Sequence, residues 1–277
     1  MRKSVRGTRP LRDVGKRHSM TGNNGRPIVV QQRDRRLLRE IGLMRVVDRD
    51  QAKIVGGFGS TTRVNARLLA LTGAKLLRRF FLGTVGGARK GLYSLGQRGA
   101  ELVGIPDRGP RRRNDEVLTV DIFTIHQLAI NEIYCIAKFG KAPEGIRFAR
   151  WIAFYESIDT GLSLIPDGYL EFATPTKSLA IFLEVDLGNE SLSVWRRKTE
   201  SYLAFATSGH FKEKLGGDQF RVLVVANSDR RLASLRSATA AVTEKIFWFA
   251  TAEAIRREGF WSSIWQRPKD MQLKPLI

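Results

Sequence analysis

Cysteine is almost absent from this chain: Cys135 is the single one in 277 residues. One thiol can make neither an intrachain disulfide nor a cysteine zinc site, and its apolar surroundings mark it as a small core residue. No uncharged apolar run approaches the roughly 20 residues that cross a bilayer. The amino terminus is basic but lacks the apolar stretch of a secretory signal. Gly86-Gly87 is not followed by Gly-Lys-Ser or Gly-Lys-Thr, which excludes a phosphate-binding loop of the nucleotide-hydrolase kind. No internal repeat is visible. These absences lead to the expectation of a soluble, cytoplasmic protein with no membrane segment.

What the chain has in excess is positive charge. The formal net charge is +20, and 43% of residues are hydrophobic, enough for a globular protein rather than a disordered one. Residues 1–113 carry 27 Lys and Arg against 7 Asp and Glu, whereas residues 114–277 carry 20 of each. The whole imbalance lies in the first part, and a basic segment joined to a neutral one is the footprint of a nucleic-acid-binding module. Double-stranded DNA is the expected partner.

Residues 1–27 are rich in Arg, Lys and Gly and lack hydrophobic periodicity; they read as a disordered basic arm, either a DNA-contacting one or a plain tail. Over residues 28–105 the punctuation is helix, helix, helix, hairpin. The spacing of Val30, Leu37, Leu38, Ile41 and Met44 predicts a helix over Ile28–Arg45. Asp48 caps a second helix through Val55. Ser60 caps a third over Thr61–Leu71, with Val64, Leu68 and Leu71 inward. Its other faces carry Thr61, Thr62, Arg63, Asn65 and Arg67, suited to phosphates and base edges. Lys75–Leu82 and Leu92–Leu95 read as strands around a glycine-rich loop bearing Arg89 and Lys90, and Gln97–Val103 as a closing helix. That order describes a winged helix-turn-helix DNA-binding domain.

Residues 106–114 read as a linker, and residues 115–277 as a second domain. There a helix over Asp115–Phe139 precedes strands near 147–155, 164–172 and 179–187. A helix over 192–207, a strand at 220–226, a helix over 231–245, a strand at 246–250 and a short helix at 252–257 follow. Strands alternating with helices late in the segment predict an α/β sheet with helices on its faces.

Acidic side chains rarely sit inside apolar runs unless something pairs with them, yet Pro166-Asp167-Gly168 opens one such run and Glu184-Val185-Asp186 closes the next. Strand alternation puts Glu184 and Asp186 on one face. If the two strands are neighbours, Asp167 and Glu184 can share a hard cation, Mg²⁺ or Mn²⁺, suited to phosphodiester chemistry. Other readings stand beside this one. Asp167 can be a turn residue after Pro166. Glu184 and Asp186 can be ion-paired with Arg196 or Arg197. Lys198 can pair with a carboxylate rather than serve catalysis. His126 reads as a hydrogen bonder on a helix face, and Tyr202 as packing rather than a nucleophile.

The helix, the Pro-Asp and the acidic tripeptide at the end of the next strand resemble the PD-(D/E)XK nuclease pattern. Asp186 stands where that pattern has a lysine, and Lys198 on the following helix is placed as a migrated one. More narrowly, several features in order resemble the replication-relaxation family, which includes the MobC-type relaxases of conjugation. They are a winged helix; a helix with His126, Leu128 and Asn131; Pro166-Asp167-Gly168; Phe182 to Glu190; and Lys198 with Tyr202. The resemblance implies a restriction-endonuclease-like domain that nicks plasmid or mobile-element DNA with a divalent cation during mobilisation or replication. It makes Asp167, Glu184 and Asp186 the metal-binding and, with Lys198, catalytic residues, with Glu132 assisting and other plasmid-processing proteins as further partners. The missing lysine at 186 leaves a second expectation open, a non-enzymatic DNA-binding regulator or replication accessory factor with an inactive nuclease-like domain.

Overall fold

Capping side chains and apolar spacing set the first helices of the chain, seen here in a computed structural model that describes residues 19–21, 27–83, 87–119, 121–159 and 161–277. Most of the expected basic arm, and residues 84–86 of the glycine-rich loop, lie outside the described residues. Within the arm, β1 (Ser19–Thr21) pairs antiparallel with β2 (Pro27–Val29), where no strand was expected. Because Ile28 and Val29 are used in β2, helix α1 starts later than its apolar spacing predicts, at Gln32–Met44. β3 (Val47–Asp48) leads into α2 (Arg49–Gly56), whose amino terminus is capped by Asp48 accepting from Gln51 N at 2.8 Å. Gly57 ends α2 at φ 61°, a left-handed conformation that costs glycine little. Ser60 Oγ accepts from Arg63 N at 3.3 Å and starts α3 (Thr61–Gly73). The hairpin β4 (Leu77–Gly83) and β5 (Arg89–Leu95) follows, then α4 (Gln97–Val103).

The chain is a mixed α/β protein with two main sheets. The first has the order β3-β5-β4-β6, in which β6 (Val117–Leu118) pairs parallel to β4. This pairing overturns the expected helix start at Asp115. Val117 and Leu118 are drawn into the sheet, and α5 (Ile122–Phe139) begins only where Asp121 accepts from Thr124 N at 2.9 Å. The second sheet has the order β11-β10-β9-β8-β7. β7 (Arg147–Ile152), β8 (Gly168–Ala173) and β9 (Ser178–Asp186) are antiparallel neighbours, whereas β9, β10 (Arg221–Ala226) and β11 (Phe247–Thr251) run parallel. The parallel part is built through α6 (Leu192–Thr207), α7 (His210–Leu215) and α8 (Asp229–Ala240), and α9 (Ala252–Glu258) follows β11. Helix α7 has no counterpart in the sequence reading. It is a single short segment between Gly209 and Gly216, both at positive φ.

Alternation along β9 separates two apolar layers. Leu179, Ile181, Leu183 and Val185 join the cluster containing Ile130, Ile133 and Tyr134 of α5. Ala180 and Phe182 join the cluster containing Trp195, Tyr202 and Phe205 of α6 and Leu235 of α8. The first cluster does not stop at residue 105: it also holds Leu37, Leu68 and Leu95 from the amino-terminal helices and hairpin. Hydrogen bonds cross the same seam. Asn131, wholly buried, donates to the carbonyls of Met44 and Val46 at 3.1 and 2.6 Å, and Gln51 Nε2 donates to Leu128 O at 2.8 Å. Glu40 accepts from Tyr134 OH and Lys138 Nζ, each at 2.6 Å. The 106–114 segment is itself pinned, through Arg78–Asp107 at 2.7 Å and Arg112–Asp121 at 2.9 Å. The two halves therefore share one packed seam.

A buried carbonyl stripped of its donor costs about 1–3 kcal/mol. Asn131→Ala strips Val46 O of this donor and takes one of two donors from Met44 O, which keeps Val46 N at 2.8 Å, so it should destabilise the protein by ~2 kcal/mol in urea unfolding. Both halves should lose structure together; an unshifted midpoint would contradict this account of the seam.

Candidate active site and nucleic-acid interface

The β8–β9 register places Gly168 opposite Leu183 and Tyr169 opposite Phe182. Continued one step, it sets Asp167 at the mouth of β8 against Glu184 near the carboxyl end of β9. Both line a cavity of about 440 Å³ whose walls include Phe123, His126, Trp195 and Lys198. Asp167 accepts a hydrogen bond from Val185 N at 2.7 Å, which ties the segment after Pro166 to β9.

Glu184 is 3% exposed, and both of its oxygens are engaged from α6. Lys198 Nζ donates at 2.5 Å and Tyr202 OH donates to the other oxygen. Residues 198 and 202 are one helical turn apart and so share a face. Burial pushes the Glu184 carboxyl up to about 7; the Lys198 charge opposes this, and the Asp167 charge adds to it. Burial lowers the Lys198 ammonium, yet the charges of Glu184 and Asp167 outweigh that and hold it above its ordinary value. Lys198 is therefore a cation at neutral pH and not a proton acceptor. Tyr202 is wholly buried and held well above the usual phenol range, by burial and by Glu184, so it is no phenolate nucleophile.

On the opposite wall, His126 of α5 donates from Nε2 to Val185 O at 2.7 Å, while Asp167 Oδ2 lies 3.4 Å from the same nitrogen. The shorter contact takes the proton, and Asp167 acts on the ring through its charge. Burial lowers the imidazole, but Asp167, the Val185 carbonyl and Glu184 together raise it to about 9. His126 is thus the hydrogen bonder that its helix position predicts. The site balances two carboxylates, Asp167 and Glu184, against two cations, Lys198 and His126.

Two expected participants are elsewhere engaged. Asp186 faces the same cavity but is clamped by Arg231 of α8, with Nε and Nη2 each donating at 2.7 Å, and it also accepts from Gly188 N. Its partner is thus Arg231 rather than Arg196 or Arg197, and both of its carboxylate oxygens are engaged by that guanidinium. Glu132 lies outside the cavity, in a two-point ion pair with Arg256 at 2.6 and 3.0 Å. Among the described residues, no group of three or more His, Cys, Asp or Glu is arranged to hold a metal ion. The donors that remain, two carboxylates beside one cavity, are hard oxygens. Mg²⁺ is commonly held by one or two carboxylates, with water and substrate phosphate completing its shell. In chemistry the pair fits such an ion.

The candidate DNA-contacting residues divide similarly. Thr61, Thr62 and Arg63 are exposed on the first turn of α3. Asn65 lines a cleft of about 380 Å³ with Arg89 and Lys90 of the hairpin and with Arg49. Arg89 is open to solvent, and Lys90 pairs with Asp48 at 2.5 Å. Arg67 turns inward instead. It donates from both Nε and Nη2 to Asp34, which is wholly buried, and to Val29 O at 2.8 Å. That carboxylate partner lies 33 residues upstream and could not be seen from the α3 pattern alone. His126 and Arg231 are site residues whose roles depend on the folded partners Val185 and Asp186.

The histidine gives a test with a definite sign. Its pKa is higher folded than unfolded, so its stabilising contribution is full below about pH 6.5 and is lost as pH rises toward 9. In chelator, the stability advantage of wild type over His126→Gln should shrink across that window, and NMR should show the imidazole titrating near 9. A flat difference would contradict the assignment.

No curated protein matches the chain. Among solved structures, restriction endonuclease FokI aligns at 12% identity over 81% of this chain and 44% of that one, with a TM-score of 0.27. A likeness this weak fixes neither fold nor activity. Among the described residues, no helix is long and apolar enough to cross a membrane. The replication-relaxation family model matches residues 36–219, well over half of the sequence, and the chain belongs to that family.

Proposed function

We propose that this protein processes plasmid or mobile-element DNA during mobilisation or replication, binding the duplex and nicking it with a divalent metal ion. In this reading residues 28–105 form a winged helix-turn-helix reader, 106–114 the joining segment and 115–277 a PD-(D/E)XK nuclease-like unit. The observation that carries it is the convergence of Asp167, Glu184 and Lys198 on one cavity where β8 begins and β9 ends. Asp167 and Glu184 would hold Mg²⁺ or Mn²⁺, which when bound supplies charge stabilisation and activation of water. Lys198, kept protonated by the two carboxylates, holds positive charge where a phosphate would enter. His126 anchors the Val185 carbonyl and keeps β9 and α5 in step. Exposed Thr61, Thr62 and Arg63, with Asn65, Arg89 and Lys90 around the α3–hairpin cleft, would grip the duplex.

The second reading is a non-enzymatic DNA-binding regulator or replication accessory factor. One observation favours it: the position where the nuclease pattern has lysine is Asp186, locked to Arg231. Supercoiled plasmid bearing a cognate origin separates the two. Wild type with Mn²⁺ should nick it, and Asp167→Ala or Glu184→Ala should lower the rate at least ~100-fold, the scale of losing one charge-stabilising group. Calorimetry should show Mn²⁺ binding that both substitutions abolish. Equal nicking by all three proteins would discard the site, and duplex binding without any metal binding would establish the regulator.

Duplex contact has its own measure. Each phosphate contact contributes about −0.9 to the slope of log K against log salt. Arg63→Ala and Arg89→Ala should each flatten that slope by ~0.9, while Arg67→Ala should act on stability instead.

A further inference from the structure

Beside the catalytic cavity lies a second surface that the nicking reading does not use. Helix α1 ends at Arg45 in a backbone conformation, φ 67° and ψ −47°, that residues with a side chain rarely adopt. From there its guanidinium lies over the ring of Phe123 at 4.3 Å and over that of Tyr155 at 5.2 Å. Arg108 covers Tyr155 at 4.0 Å, and its carbonyl accepts from Arg45 Nε at 3.1 Å. The cluster is thus two arginines layered with two aromatic rings, drawn from α1, the 106–114 segment, α5 and the loop after β7.

Three features distinguish it from ordinary packing. The rings are open, Phe123 at 44% and Tyr155 at 40% exposure, when large aromatics usually pay their way by burial. Among the described residues neither arginine has a carboxylate partner, although ion pairs are plentiful elsewhere on this surface. And Phe123 also forms a wall of the cavity that holds Asp167, Glu184 and Lys198. Exposed rings interleaved with arginines that no carboxylate neutralises are the surface that single-stranded nucleic acid uses: bases stack on rings and guanidinium planes, and phosphates meet the charge. A duplex, with its bases already stacked, has no use for the rings.

We propose that Arg45, Arg108, Phe123 and Tyr155 form a stacking platform for single-stranded DNA, which receives the unpaired strand next to the cleavage cavity. The proposal rests on the DNA-processing reading, and deepens it by assigning the strand a binding surface distinct from the duplex-facing cleft of α3 and the hairpin.

The test is a binding measurement in EDTA, which no failure of metal-dependent nicking can affect. The probe is a fluorescent oligothymidylate of about 15 nucleotides, near the upper site size for such surfaces. Wild type should bind it, and Phe123→Leu and Tyr155→Leu should each weaken binding about tenfold, within the range for loss of one stacked base. Tyr155→Phe should retain affinity. Arg108→Gln should flatten the salt slope by ~0.7, the single-strand value per phosphate. Affinity for a duplex of equal length, and the unfolding midpoint, should stay at wild-type values in every variant. The proposal is overturned if the leucine variants hold the single strand as tightly as wild type, if single-strand and duplex affinity fall together, or if wild type does not bind the oligonucleotide.

Discussion

Asn131 is the contact on which the rest of the molecule turns. Its amide, wholly buried, reaches across from α5 to the carbonyls of Met44 and Val46, at the bend between α1 and β3. Met44 O also accepts from Val46 N at 2.8 Å in the bend, Val46 O is met by Asn131, and buried backbone groups demand partners. By meeting that demand, α5 is fixed to the amino-terminal half along one face. Five residues earlier along the same helix, His126 fixes it to Val185 of the central sheet. A single helix thus sets both the basic half and the carboxylate site.

Within the site, the governing constraint is electrostatic. A buried carboxylate is costly without a partner. Glu184 meets the cost through Lys198 and Tyr202 on one helix face, and Asp167 through a backbone amide and a nearby imidazolium. Asp186 obtains a complete guanidinium of its own from Arg231 and so leaves the group. The outcome is a quartet of two acidic and two basic groups around an open cavity, with one carboxyl raised to about 7 by burial and its ammonium partner held charged.

Much of this was legible locally. Asp48 and Ser60 announced the starts of α2 and α3 because an N-cap is a contact over three residues. The placement of Asp167 beside Glu184 was legible only on the condition that their strands are neighbours, which the β8–β9 pairing meets. What was hidden depended on distant partners. Nothing near Asp186 names Arg231, 45 positions on, and nothing near Arg67 names Asp34. The start of α5 was misread because Val117 and Leu118 suit a helix face as well as a strand, and only the open edge of β4 decides between them. Helix α7 escaped because six residues between two glycines carry too little periodicity to register.

The seam between the halves has a mechanical corollary. With apolar packing continuous from Leu37 to Tyr134 and the 106–114 segment held by Arg78 and Arg112, the connection behaves as a strut rather than a hinge. The span from the α3–hairpin cleft to the β8–β9 cavity is then a fixed length written into the packing, as in a caliper whose jaws have been locked, and adding residues to the joining segment would not open it.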